Sequence, residues 1–504
     1  MEGGKVLGSG TYGCILKPAL PCKGETERKP DTVSKLMRKY DANDEMMEIN
    51  NIYKRVKLIP NNQLFYIISD VRICELGKVT DEDLEGFDKN CHAMKRNNIT
   101  KQNVQYSNSQ LRLLQLPDGG KDITHYFGNS KKSFDDDLFI KVNSALVKLL
   151  EFGIAPLKTV QVLHEDIKAQ NIVYSEKNDL ARLIDWGLAT VFIKDTIPSN
   201  IRGWPITFNQ PFTTLVFNKH IQRLYKSMFK TYPKIVKIVN SYKGLDLIRE
   251  LLPNIQVILL GRLLSNYDDL IYYLGSAGHF DYLDYIVHVC SSLESDPNHP
   301  IRNLNSDDYL SRVISQHLAL AFLHFSLNSN GSIGRFDEVR FFNEVYKINC
   351  DVFGFLSTYT DIITNKSMPL ELRKKTYETI IKPFYFESDY AYNPYNVTKI
   401  ANACLHLNNE YVIKSIKLEG KRESFDEDIF TWSLRKRCPR GSRRDKKTQK
   451  CVKTKKILKV KPQKTLKVKK ITPRRSTSFS WPKSKRCPRG SRRDKKTQKC
   501  VKNK

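Results

Sequence analysis

Apolar positions along the first 117 residues come in short runs separated by polar turns. "KVLGSGTYGCILK" (5–17) places Val6-Leu7 and Ile15-Leu16 on either side of a glycine-rich turn, which predicts strand, turn, strand. "TVSKLM" (32–37), "QLFYIIS" (63–69) and "QLRLLQLP" (110–117) predict further strands. Between them, Ile49, Ile52 and Val56 recur at three- and four-residue intervals and predict a helix over 44–57. After "PDGG" the period lengthens. "DDLFIKVNSALVKLLEFG" (136–153) reads as a helix, and "NIVY" (171–174) and "ARLIDWG" (181–187) as two short strands. From Pro211 to about Trp432 the pattern is mostly helical, and beyond Trp432 no apolar period survives. The pattern predicts an α+β chain: a strand-rich portion over 1–117, a largely helical one over 118–432, and a disordered tail over 433–504.

Charge separates the tail from the body. The net charge is +30, but residues 434–504 hold 31 Lys/Arg against 2 Asp/Glu, whereas the preceding 433 residues hold 53 against 52. The tail also contains an internal repeat, "KRCPRGSRRDKKTQKCVK", at 436–453 and again letter for letter at 485–502. Such a segment is expected to attract nucleic acid or another polyanion without sequence preference, because only Phe479 and Trp481 are available to stack on bases. A solvated tail or a nuclear-import signal has the same composition. No apolar run approaches the roughly 18–20 residues a membrane helix needs, and "MEGGKVLGSG" lacks a basic-then-apolar leader pattern. A soluble intracellular protein with no membrane partner is expected. Seven of the 11 cysteines (Cys14, Cys22, Cys74, Cys91, Cys290, Cys350 and Cys404) are scattered in the body without a C-x-x-C pair, and are expected to be ordinary thiols. The tail's Cys438 and Cys451, and Cys487 and Cys500, lie 13 apart in each copy. That spacing offers no closely spaced zinc pair; it leaves free thiols or a disulfide-closed hairpin.

Several polar groups interrupt this pattern where chemistry would need them. Gly8-Ser9-Gly10-Thr11-Tyr12-Gly13 has the spacing G-x-G-x-x-G. The following Ile15-Leu16 predicts a second strand, so a hairpin lying over phosphates fits better than the strand–helix order of a dinucleotide site. Lys35 carries a charge inside an apolar run and requires an acid. Glu48 on the next predicted helix is the preferred partner, with Glu45 as the alternative. "HEDIKAQN" (164–171) supplies Asp166, Lys168 and Asn171, and Asp185 follows Asp166 by 19 residues, room for two short strands that return both acids to one cleft. The set suits transfer of a γ-phosphoryl group. Asp166 would orient the attacking hydroxyl and accept its proton, Lys168 would offset charge on the moving group, and Lys35 would hold the α/β-phosphates. Asn171 and Asp185 offer the oxygen ligands that Mg²⁺ prefers.

On "GSGTYGCI", "VSKL", "HEDIKAQN" and "DWGLA" the chain resembles eukaryotic-type protein kinases, and Lys168 resembles the lysine of the Ser/Thr class. On "GTYGCILKPALPC", "LPDGGKDI", "FNQPF" and the cysteine-flanked tail repeat it is similar to Ser/Thr kinases of iridoviruses and other large nucleocytoplasmic DNA viruses. The resemblance implies a bilobal fold with an N-lobe over 1–117 and a C-lobe over 118–432, enlarged by a helical insertion over about 213–350. It implies ATP and Mg²⁺ as cofactors, protein Ser/Thr hydroxyls as acceptors, and the host cytoplasm or nucleus, or the virion, as location. It also implies that Gly8 to Gly13, Ile15, Lys35, Gln115, Leu116 and Asp122 contact ATP, with Leu114 as gatekeeper and Pro117 unable to give the adenine an N–H. Asp351 would brace the catalytic loop. The chain departs from the family in three places. Glu165 stands where many kinases have an Arg that binds an activating phosphate, Trp186 replaces the Phe of "DFG", and the Glu of "APE" is missing. These departures leave a second reading open, a pseudokinase or structural adaptor whose tail holds nucleic acid or virion components.

Overall fold

The computed structural model describes residues 5–416, apart from 26, 30, 129–133, 204–205 and 264–276, and four short strands beyond, at 442–444, 451–453, 491–493 and 500–502. The chain divides into two units, Met1–Gly420 and Lys421–Lys504. It is mixed α and β.

The first unit begins with five strands, β1 (Lys5–Ser9), β2 (Gly13–Lys17), β3 (Thr32–Arg38), β4 (Arg72–Cys74) and β5 (Leu111–Pro117), in the antiparallel order β1-β2-β3-β5-β4. Alternation of side chains covers both faces of this sheet. Cys14, Leu16, Leu36, Leu111 and Leu113 pack on one side with Leu20, Leu76, Phe87 and Met94. Met37 and Leu114 pack on the other against Ala42. Ala42 belongs to helix α1 (Lys39–Val56), which buries a stripe at Ala42, Ile49, Ile52 and Val56. The helix starts five residues before the expected 44–57.

The expected strand at "QLFYIIS" is not one. Residues Asn62–Leu64 form a 3₁₀ turn, and Tyr66 makes a single parallel bridge to Leu183. Phe65 to Ile68 are all buried, and the Ile67 N–H donates to Leu183 O at 2.9 Å while the Leu183 N–H donates to Phe65 O at 2.8 Å. The Tyr66 hydroxyl donates to Gly153 O at 2.6 Å. This run fastens the sheet to the stretches of chain around Gly153 and Leu183, and a segment buried on every side reads as apolar whether or not it joins a ladder.

Two one-turn helices, α2 (Phe87–Asn90) and α3 (His92–Lys95), precede β5. After it come β6 (Lys121–Asp122), α4 (Ile123–Phe127) and α5 (Asp136–Lys148), whose N-cap Asp135 accepts from the Leu138 N–H. Next are β7 (Val162–Leu163), β8 (Ile172–Ser175), β9 (Leu180–Leu183) and β10 (Thr190–Val191), which form the sheets β6-β8-β9 and β7-β10. "NIVY" and "ARLIDWG" are thus strands, as their pattern predicts. Among the described residues the remainder is largely helical and includes α6 (Ser199–Gly203), α7 (Lys219–Thr231), α8 (Gly244–Leu263), α9 (Ala277–Leu293), α10 (Ser306–His324), α11 (Glu338–Phe341), α12 (Lys347–Ser357) and α13 (Val397–Ile416). Every residue of α12 from Asn349 to Ser357 is buried, so this helix is the central post of the helical portion.

Two expectations about cysteine and the tail are corrected. Cys14 is bonded to Cys91 and Cys22 to Cys74, with Cα–Cα separations of 5.6 and 5.7 Å that suit a disulfide. Cys290, Cys350 and Cys404 are free and buried. The pairs are 77 and 52 residues apart, a proximity that only tertiary folding creates. In the second unit the tail is not wholly without structure. Ser442–Arg444 pairs antiparallel with Cys451–Lys453, and Ser491–Arg493 with Cys500–Lys502, so both repeat copies form the same hairpin register. Cys438 and Cys487, and the side chains of Cys451 and Cys500, lie outside what the structure describes.

Candidate functional site

The turn after β7 carries "HEDIKAQN" and is held from below. The Asp351 carboxylate, on the buried post α12, accepts the His164 N–H at 3.1 and 3.0 Å and the Glu165 N–H at 3.0 Å. These are the bonds the resemblance implied for it. Asp166 is then surrounded by donors. Lys168 Nζ lies 2.8 Å from both carboxylate oxygens, Asn171 Nδ2 donates to Oδ2 at 2.7 Å, and Asn209 Nδ2 donates to Oδ1 at 3.0 Å. Asn209 also donates to Ile167 O at 3.1 Å, and it accepts from the Thr207 hydroxyl at 2.6 Å. Its part in the site could not be read from spacing, because a residue 43 positions away enters only through tertiary folding.

Strands β8 and β9 return the chain to the same place. The Ile184 N–H donates to Asn171 O at 3.0 Å, which seats Asp185 beside Asn171. Asp185 has φ of 60°, a left-handed backbone uncommon outside glycine. Its side chain is 48% exposed, so it is free to meet a ligand. Asn171 commits its amide N–H groups to Asp166, leaving its amide oxygen available. Two oxygen ligands, one anionic and half exposed, fit a hard divalent ion that keeps several waters.

Lys35 joins this group from the sheet. Its Nζ lies 2.8 Å from both carboxylate oxygens of Glu45 and 3.9 Å from Asp185 Oδ1. Burial works against its charge, but Asp185 and Glu45 outweigh burial and hold the ammonium above its ordinary pKa. The preference for Glu48 is therefore corrected to Glu45. Helix geometry gives the reason: Glu45 lies three residues after Ala42 and four before Ile49, on the buried stripe, whereas Glu48 is exposed.

The glycine turn closes with a bond from the Gly10 N–H to Gly13 O at 2.9 Å. Gly8 and Ser9 end β1, Thr11 and Tyr12 form the exposed tip, and Gly13 and Ile15 lie in β2. Only Gly13 is sterically required here. A Cβ on it would meet Met37 Cγ at 2.6 Å and Leu36 O at 2.7 Å, whereas one on Gly8 would touch nothing within 4 Å.

The proposed adenine edge differs in detail. Gln115 is buried, and its side chain donates to Leu20 O at 2.9 Å and accepts from Arg72 at 2.6 Å. It is turned into the sheet, and its backbone pairs with both β3 and β4. Leu116 and Pro117 run past the end of β4 and pair only with β3. Asp122 caps α4 by accepting the His125 N–H at 3.1 Å, and burial raises its pKa. Trp186 is buried, as a packing role requires, with its ring 4.7 Å from that of His164 and 5.4 Å from that of Tyr66. Its indole N–H also donates to Ile67 O at 3.2 Å, which a Phe could not do.

Glu165 answers to a residue the sequence did not single out. Asn200 Nδ2, on α6, donates to both of its carboxylate oxygens at 3.1 and 3.0 Å. Two residues on, Arg202 forms a two-pronged pair with Glu338 of α11 at 2.8 Å. Segment 186–210 is thus fastened by an amide and an ion pair. The chain matches no protein-family model and no curated protein sequence.

Proposed function

We propose that the chain is an ATP- and Mg²⁺-dependent Ser/Thr protein kinase of bilobal fold, with the five-stranded sheet and α1 as the smaller lobe. One observation carries the reading: Lys35 of β3, paired to Glu45, lies within 3.9 Å of Asp185, on the loop that follows the Asp166–Lys168–Asn171 turn. In this reading these residues supply a cation for phosphates, two oxygen ligands for a metal ion and a carboxylate to take a proton. In this reading Asp166 accepts the acceptor hydroxyl's proton, and its three side-chain donors fix where that oxygen stands. Lys168 is poised to transfer its contact from Asp166 to the incoming phosphoryl oxygens. Mg²⁺, held by Asn171 and Asp185, would neutralise charge on the β- and γ-phosphates. Lys35 orients the α- and β-phosphates. Phosphate transfer from labelled ATP to a generic basic protein tests the reading. Asp166→Asn is expected to lower kcat by about 10²–10⁴-fold, and Lys35→Met to abolish measurable transfer. Undiminished turnover in both variants would contradict it.

A further inference from the structure

The tip of the glycine turn has almost no packing of its own. A Cβ at Gly10 would meet only Gly13 O, at 3.8 Å, and Tyr12 is 58% exposed. Beyond its own Gly10–Gly13 bond and the pairing of β1 with β2, the turn is reached at three points by one segment of the chain, residues 87–98. Cys91 is bonded to Cys14, two residues past the tip. The Ala93 N–H donates to Ser9 Oγ at 3.0 Å. Arg96 Nη2 donates to Thr11 O at 2.8 Å and to Gly10 O at 3.4 Å.

The last contact has a directional consequence. Within a planar trans peptide the C=O and the next residue's N–H point in opposite directions. A guanidinium that draws the Gly10 and Thr11 carbonyls towards itself aims the Thr11 and Tyr12 N–H groups the other way. Successive N–H groups aimed together make a concavity for an anion.

We propose that residues 87–98 are a cross-linked brace that presets the glycine turn for the phosphates of a nucleotide, with Arg96 as its positioning residue. The inference rests on the nucleotide-binding reading above and adds to it how the turn is ordered before ligand arrives. Arg96 does not touch the nucleotide; it acts through the two carbonyls. The Cys14–Cys91 bond keeps the brace from swinging away. The second disulfide, Cys22–Cys74, joins the stretch after β2 to β4, with neither cysteine in the turn or in residues 87–98, so it serves as an internal control.

The test is calorimetric titration of the full chain with ATP·Mg²⁺ and, separately, with adenosine. Arg96→Ala and the double change Cys14→Ala/Cys91→Ala are each expected to weaken ATP binding about tenfold, with adenosine unchanged. Arg96→Lys should recover part of the loss, because one ammonium cannot reproduce the fork on two carbonyls. Cys22→Ala/Cys74→Ala should bind ATP within about twofold of the unaltered protein. ATP affinity unaffected by Arg96→Ala would overturn the brace. So would equal losses for ATP and adenosine, or an equal loss in the control pair. If the unaltered chain binds adenosine and ATP with the same affinity, there is no phosphate subsite to preset and the brace fails. If it binds neither, the kinase reading fails as well.

Discussion

Glu165 is the residue whose presence most needed explaining. It is buried, and its backbone is left-handed at φ 61°. Burial pushes its carboxyl up to about 8; the Asn200 amide pulls the other way, and the Asp351 charge adds to the rise. It is therefore mostly protonated at neutral pH in the folded chain, whereas an unfolded Glu is ionised above about 4.3. The folded state binds the extra proton, so Glu165 makes the protein lose stability as pH rises from about 4.5 to about 8, and the loss levels off above that. Within this window its contribution falls by up to about 1.4 kcal/mol per pH unit. Denaturant unfolding between pH 5 and 9 should show the slope in the unaltered chain and a flatter profile in Glu165→Gln. Parallel profiles would show that Glu165 titrates normally. A carboxyl bound to Asn200 also lacks the positive charge with which an Arg would hold a phosphate beside Asp166. We therefore expect activity without phosphorylation of segment 186–210, whose hydroxyls are Thr190, Thr196, Ser199 and Thr207, and phosphatase treatment of the full chain checks this through unchanged turnover.

At the scale of elements, the sheet is where sequence pattern and structure agree best, and it makes its own prediction. Gly13 lets β2 approach β3 closely, so Gly13→Ala must displace Met37 or the Leu36 carbonyl and should cost about 1–3 kcal/mol. Gly8→Ala, with open space around it, should leave the melting temperature unchanged. Equal shifts in the two variants would mean that the turn is packed differently. The strands around the glycine turn, β5 and β8–β9 were legible because local alternation and turn residues specify them. That Asp166, Lys168 and Asn171 would meet, with Asp185 beside Asn171, was legible because those residues are close in sequence. What was not legible depends on distant parts of the chain. The choice of Glu45 over Glu48 turned on which face of α1 packs against the sheet. The fate of "QLFYIIS" turned on Leu183, more than 110 residues away, and the two disulfides, Asn200 and Asn209 likewise have partners that no local period marks.

On the scale of the whole molecule the charge division sets one expectation. With 31 of the 84 basic residues in the last 71 positions, the second unit should dominate any binding to polyanions. Truncation after residue 433 should flatten the dependence of duplex DNA binding on salt, and an unaltered salt slope would exclude the tail as the binding element. The central claim concerns the first unit, where Lys35 of β3 reaches Asp185 and Asp351 of α12 holds the turn that carries Asp166. The most direct test is autophosphorylation with γ-labelled ATP and Mg²⁺, the unaltered chain beside Asp166→Asn. Label incorporated by the first and lost in the second is the predicted result. No label in the unaltered chain, or equal label in both, would contradict the assignment of Asp166 as the base of a phosphoryl transfer.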